Sequence, residues 1–126
     1  MKQDMFQRYV DAFNDRRYAD CLGFFHPAVQ LQLPKHLLKG PEAIHQHYRD
    51  LHADVAEHLR VDWYVADEHH LAFDCYTEFT AIRPRPGFTF GPLKVGDTIR
   101  MTNFVHYTLQ DGLFKNIRVA HYRMSE

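Results

Sequence analysis

Apolar positions recur with helical spacing in the N-terminal part of the chain and with the period of a strand thereafter. Phe6, Tyr9, Val10 and Phe13 lie three and four apart, with Asp4, Gln7, Arg8, Asp11 and Asn14 between them, which predicts an amphipathic first helix. A second, short helix is expected over Tyr18 to Phe25, stopping at His26-Pro27 because the residue before a proline avoids helical angles. Val29, Leu31 and Leu33 alternate with Gln30 and Gln32 in a strand that ends at Pro34. Lys39-Gly40-Pro41-Glu42 then opens a third helix, since proline suits the first helical position and an acid suits the positive helix end. That helix buries Ile44, Tyr48 and Leu51 and ends near His52 to Asp54.

From there the period changes to two. Leu59, Val61, Trp63 and Val65 form one strand face, and Phe73, Cys75, Thr77, Phe79 and Ala81 form the next. A proline- and glycine-rich connection, Arg83-Pro84-Arg85-Pro86-Gly87, runs on through Phe88, Phe90, Gly91 and Pro92 into a long hairpin around Asp111-Gly112. It is expected either to cap a pocket mouth or to pack across a dimer. The element order predicts a single domain over residues 1–126 of the α+β class. About three N-terminal helices pack on one face of a strongly curved antiparallel sheet and leave a conical hollow between them.

The hairpin places isolated polar groups on apolar faces. Ile99, Met101, Val105 and Tyr107 share a face with Asn103, and Ile117 and Val119 share one with His121. A buried polar group needs a hydrogen-bond partner, so each such position marks a satisfied core contact or the wall of a ligand pocket. For Asn103 the core alternative is a bond to Tyr9 or to a water. The opposite face carries Arg100, Thr102, Phe104, His106, Asn116, Arg118, Ala120 and Tyr122. Such a mixture, with two aromatics, fits a homodimer interface on the outer sheet face better than open solvent.

Composition removes several function classes. Apolar residues make up 45% and charged residues 25%, as in a globular domain. The net charge is −1 with basic residues scattered, so no nucleic-acid partner is expected. The start Met1-Lys2-Gln3-Asp4 runs straight into the helical pattern, with no apolar leader and no membrane-length apolar run; neither export nor membrane insertion is expected. Cys21 and Cys75 lie outside any Cys-x-x-Cys pair, which fits a reduced, cytoplasmic protein. Ten histidines raise the possibility of a metal, yet no two stand three or four apart on one helix face, so no metal site and no cofactor are expected. The sole serine is Ser125, which leaves no serine nucleophile.

The order of elements and several motifs resemble the nuclear transport factor 2-like superfamily, in its SnoaL-like and ketosteroid-isomerase-like branches. The matching pieces are Arg8-Tyr9 with Ala12-Phe13-Asn14, Phe24-Phe25-His26-Pro27, Gly40-Pro41-Glu42-Ala43-Ile44 with Tyr48, and Asp111-Gly112. The resemblance implies a cone-shaped fold, pairing through the outer sheet face, and a pocket for a small, mostly apolar, carbonyl-bearing molecule of steroid, polyketide or terpenoid type. In the isomerase branch a first-helix tyrosine and a protonated sheet acid hold a developing enolate, and a carboxylate moves the proton. Those positions fall on Tyr9, Asn103 and Leu33. The two donors are kept and the base is absent.

His121, by strand parity, is the leading substitute base, with His36 at the pocket mouth second; for both, a structural or rim role is the alternative. Glu78 and Asp74 take the other face of their strand. The expected pocket wall comprises Leu33, Tyr48, Trp63, Met101, Val105, Tyr107, Ile117 and Val119. SnoaL-like cyclases use a pocket carboxylate, and epoxide hydrolases of this fold use an Asp-Arg-Asp set; Arg100 and Arg118 both take the outward parity here. The expected functions are therefore ligand binding with cofactor-free isomerase, cyclase or dehydratase chemistry, or a non-catalytic binding or association domain.

Overall fold

The structure, a computed structural model, describes residues 1–125. The elements are α1 (Gln3–Asn14), α2 (Tyr18–Leu22), β1 (Phe25–Gln32), β2 (Leu37–Lys39), α3 (Pro41–Asp54), β3 (Val55–Ala66), β4 (His70–Ala81), β5 (Thr98–Gln110) and β6 (Leu113–Met124). The six strands form one sheet in the order β2-β1-β6-β5-β4-β3. It is mixed rather than purely antiparallel, because β1 runs parallel to β6. The sheet is curved and unclosed, and the three helices cover its concave face, giving the α+β cone.

α1 forms as its stripe predicts and buries Phe6, Tyr9, Val10, Ala12 and Phe13. α3 begins with Pro41 in its first turn behind Gly40, whose φ of 90° belongs to the left-handed region that favours glycine. In β4 and β5 burial alternates residue by residue, with Leu71, Phe73, Cys75, Thr77 and Phe79 inward on one and Met101, Asn103, Val105, Tyr107 and Leu109 on the other. Asp111 and Gly112, both at positive φ, make the two-residue turn that matches strand twist.

Three local readings change. α2 stops at Leu22, and Phe25 to Pro27 belong to β1, whose register against β6 breaks between Phe25 and Gln30. A proline has no N–H for the ladder, so it sits within that irregular stretch. Leu37 to Lys39 add a strand on the far edge, opposite Gln30 to Gln32. Finally, the β3–β4 register slips between Val61 and Trp63, an extra residue at Asp62 that reverses the faces beyond it. Trp63 and Val65 therefore point outward, 53% and 50% exposed, while Tyr64 turns in to stack on Phe6 with ring centroids 5.3 Å apart.

Phe6 is fully enclosed, and its ring meets those of Tyr9, Tyr64, Phe73, Tyr107 and Phe114. Truncating it leaves a cavity that five rings cannot collapse into. We expect Phe6→Ala to lower unfolding stability by about 3–5 kcal/mol, measured by urea denaturation.

Candidate active site

Between the helices and the concave sheet face lies a cavity of about 390 Å³. Its apolar wall includes Phe13, Leu31, Ile44, Phe73, Phe79, Val105, Ile117 and Val119. Tyr9 enters it from α1, Tyr48 from α3, and Asn103 and Tyr107 from β5. Burial pushes the phenols of Tyr9, Tyr48 and Tyr107 well up from their ordinary value of 10.0. All three stay protonated near neutral pH and present O–H donors.

Asn103 is 8% exposed and pairs with His121 across the β5–β6 ladder. The Nδ1 of His121 lies 3.1 Å from Oδ1 of Asn103. With the ring nitrogen donating to that oxygen, the amide group of Asn103 is left to donate into the cavity. His121 itself is solvent-exposed at the rim, with its ring 5.1 Å from that of Phe90. It orients Asn103 and does not line the cavity wall.

Of the expected wall, Leu33, Tyr48, Val105, Tyr107, Ile117 and Val119 line the cavity. Two expected residues do not. Trp63 lies on the convex face because of the bulge at Asp62, beside Phe104 and Ala120. Met101 is completely enclosed in a secondary core with Leu51, Val55, Phe79, Ala81 and Leu93, with Phe88 and Phe90 packed against it. That core seats the loop, so Met101 supports the mouth rather than touching a ligand.

The loop between β4 and β5 folds over the mouth. Arg85 donates from Nη1 to Oδ2 of Asp54 at 2.9 Å and from Nη2 to Oδ2 of Asp50 at 3.0 Å, tying it to the end of α3. Phe88 and Phe90 pack on Phe79 and line the cavity, which favours the capping reading of this segment. Pro34, Lys35, His36 and His47 complete the rim. Burial lowers His47 below its ordinary value of 6.5, so its imidazole is neutral at physiological pH.

A further polar group was missed from sequence. Glu57, 8% exposed, lines the cavity from β3, and its Oε1 lies 2.8 Å from Nε2 of His52. The other ring nitrogen of His52 lies 2.7 Å from the hydroxyl of Tyr18. Two signals were present. Val55, Glu57, Leu59 and Val61 share one strand parity, and His52 continues the Ile44–Tyr48 stripe of α3 by one more turn. Beginning β3 at Leu59 hid both.

Among the described residues no group of three potential metal ligands converges. Cys21 and Cys75 are free and buried. No helix among them is long and apolar enough to cross a membrane.

A model of the SnoaL-like domain matches residues 6–117. The chain belongs to the SnoaL-like family. The structure also resembles several solved proteins. One is a SnoaL-like polyketide cyclase from Agrobacterium tumefaciens, with a TM-score of 0.79 at 16% identity, covering 98% of this chain and 94% of that one. Another is an NTF2-like protein of unknown function from Burkholderia pseudomallei, with a TM-score of 0.78 at 14% identity and coverage of 97% and 92%. A third is an LEH-like epoxide hydrolase from M. tuberculosis, with a TM-score of 0.73 at 10% identity and coverage of 93% and 79%. At these identities the likeness establishes the fold and leaves the chemistry to the site. A search of curated sequences returns no match.

The buried thiols of this SnoaL-like domain carry a checkable consequence. Burial pushes Cys75 up to about 12 and Cys21 up to about 11, from an ordinary 9.0. As pH rises past 9 the unfolded chain releases these protons while the folded chain retains them, and the buried tyrosines act in the same direction above 10. Stability is therefore present below about pH 9 and declines through the alkaline range. Melting temperature should fall steadily from pH 9 to 11. Thiol labelling at pH 8 should proceed only at the rate of opening.

Proposed function

We propose that this SnoaL-like domain binds a small, mostly apolar, carbonyl-bearing molecule in its conical cavity and carries out cofactor-free acid–base chemistry on it. The reaction class is isomerisation, cyclisation or dehydration. The observation that carries this reading is the donor set on an otherwise apolar wall. Three protonated phenols and the Asn103 amide, all able to donate hydrogen bonds, face the same hollow. Their complement is an oxygen acceptor, above all a carbonyl whose oxygen gains negative charge when an adjacent C–H bond is broken. The SnoaL-like family assignment and the cyclase and hydrolase relatives of this fold support the same class.

A second reading, a non-catalytic binding domain, is favoured by what the resemblance to the isomerase branch implies: its base position falls on Leu33, and a leucine moves no proton. Thermal-shift measurements with steroid, polyketide and terpenoid ketones separate the two. A ketone that stabilises the parent but not Asn103→Leu or Tyr9→Phe, and that is turned over, supports the enzyme reading. Binding without turnover supports the other. If no ketone binds and Asn103→Leu melts at or above the parent's temperature, the donor pair is core and the pocket reading fails.

We also propose that the protein acts in the cytoplasm as a homodimer paired through its convex sheet face. Trp63, Val65, Phe104 and Tyr122 are all about half exposed there, and Phe104 stacks on Tyr122 at 4.6 Å. Solvent-exposed aromatics in this number fit an interface. Light scattering should give a dimer mass for the parent and a monomer mass for Phe104→Asp, with the cavity's ligand affinity largely kept. A monomeric parent at micromolar concentration would rule the interface out.

A further inference from the structure

We propose that Glu57 is the general base of the cavity, with His52 and Tyr18 as the positioning residues that hold its carboxylate. This rests on the ketone-pocket reading above and supplies the group that Leu33 cannot. Glu57 occupies the inward parity of β3, opposite Phe79 on β4, and lines the cavity. Its Oε1 lies 2.8 Å from Nε2 of His52, and Nδ1 of His52 lies 2.7 Å from the Tyr18 hydroxyl. With the Tyr18 hydroxyl donating to Nδ1 and the Nε2–H of His52 donating to Oε1, each donor in this chain meets one acceptor and the chain ends on Glu57. Among the described residues no protein group bonds Oε2, so one carboxylate oxygen is held and the other is left for the cavity.

The surroundings fit a working base rather than a buried strut. The His52 and Glu57 side chains are 4% and 9% exposed, so water does not level their interaction. From the turn after α1, Arg16 donates to the Glu57 main-chain carbonyl and brings a cation close. From α3, His45 lies against Tyr18, Tyr48 stacks on His52, and His47 and Asp50 stand at the rim. Tyr9 from α1, Cys75 from β4 and Arg85 from the loop also line the cavity, and Cys21 from α2 and Arg49 from α3 lie near Tyr18. Tyr9, Tyr48 and Cys75 all stay uncharged, chiefly because they are buried and in smaller part because of the nearby Glu57 carboxylate. Glu57 is therefore the carboxylate acceptor beside the neutral donors Tyr9 and Tyr48. That division of roles is what enolisation requires.

The step balances without a co-reactant. Oε2 of Glu57 takes a proton from the carbon next to the ligand's carbonyl, and that C–H bond breaks. Its electron pair becomes the new C=C bond while the carbonyl oxygen takes the charge, facing the phenol of Tyr48, whose ring stacks on the His52 that holds Glu57. Glu57 then returns a proton to the same carbon, or to the γ-carbon where the enolate is conjugated, and the carboxylate is regenerated.

The probe is 2-tetralone, an enolisable apolar ketone, in D2O. Binding is followed by thermal shift and exchange of the α-hydrogens by proton NMR. The parent should bind it and exchange its α-hydrogens faster than buffer. Glu57→Gln should lose about 100-fold or more in exchange while still binding the ketone, and Glu57→Asp should recover part of the rate. Tyr18→Phe, at the far end of the chain, should lower the exchange rate at saturation roughly fivefold with unchanged KM, the loss of one hydrogen bond. Exchange that persists in Glu57→Gln, or that disappears in His47→Gln instead, overturns the assignment. Binding without exchange by the parent overturns the base and leaves the pocket. No binding at all overturns both.

Discussion

The closed end of the cone depends on one side chain. Phe114, fully buried at the start of β6, brings together rings from four other elements or their borders: Tyr9 at 4.9 Å, Tyr107 at 4.7 Å, Phe24 at 5.7 Å, and Phe6 and Phe25 at 6.2 Å. Most of these pairs meet edge to face, the geometry that aromatic quadrupoles prefer. The cluster fixes α1 against β1, β5 and β6 at the same time. It also decides where two of the three cavity phenols sit, since Tyr9 and Tyr107 both lean on Phe114. The site's donors are thus held by the packing that closes the fold, and they need no support from the rim.

Above that plug the helices do not fill the hollow, and the sheet register determines what faces it. Across β3, β4 and β5, Glu57 stands opposite Phe79 and Phe79 opposite Ile99, whereas Val61 stands opposite Cys75 and Cys75 opposite Asn103. The carboxylate and the amide are therefore two strands apart and four residues offset along the sheet. They occupy separated regions of one concave surface, with Thr77 and Cys75 bonded to each other at 3.3 Å between them. Tyr48, whose ring stacks on His52, brings a phenol to the Glu57 end of the hollow, while Asn103 stands at the other end. The two ends are also buttressed independently, Glu57 from α3 and α2, and Asn103 from β6.

Much of this was legible because parity survives wherever a strand is regular. Asn103 was identifiable as inward because β5 alternates without interruption from Met101 to Leu109. Trp63 was misplaced by a single extra residue, since one slip exchanges the two faces and nothing in Asp62 announces it. Met101 has the right parity but lies beneath the loop, and parity says which side a residue faces without saying what covers it. Glu57 escaped for a different reason. A charged residue two places before an apolar run reads as the turn preceding a strand, while here α3 passes into β3 with no intervening turn. The partner that makes its burial tolerable, His52, belongs to the preceding helix, and only the closed fold shows the two within 2.8 Å.

That partner also explains how a base can stand away from the end of the first strand. A carboxylate removed from water is costly unless it is paired and hydrogen-bonded, so no position on an apolar face can acquire one alone. At Leu33, on the mouth, the neighbours are Pro34 and the turn to His36, and the main-chain bonds there are already satisfied within that turn. At the α3–β3 junction a histidine one helical turn beyond Tyr48 reaches the inward position of the new strand and is itself held by Tyr18. The junction supplies both the pairing and the orientation that an ionised group requires. A pair kept only for stability has a simple substitute, since two apolar side chains of the same volume commonly serve as well or better. A carboxylate that keeps one oxygen bonded and the other toward an apolar hollow is the costlier arrangement for folding alone, and it is the arrangement that proton transfer needs.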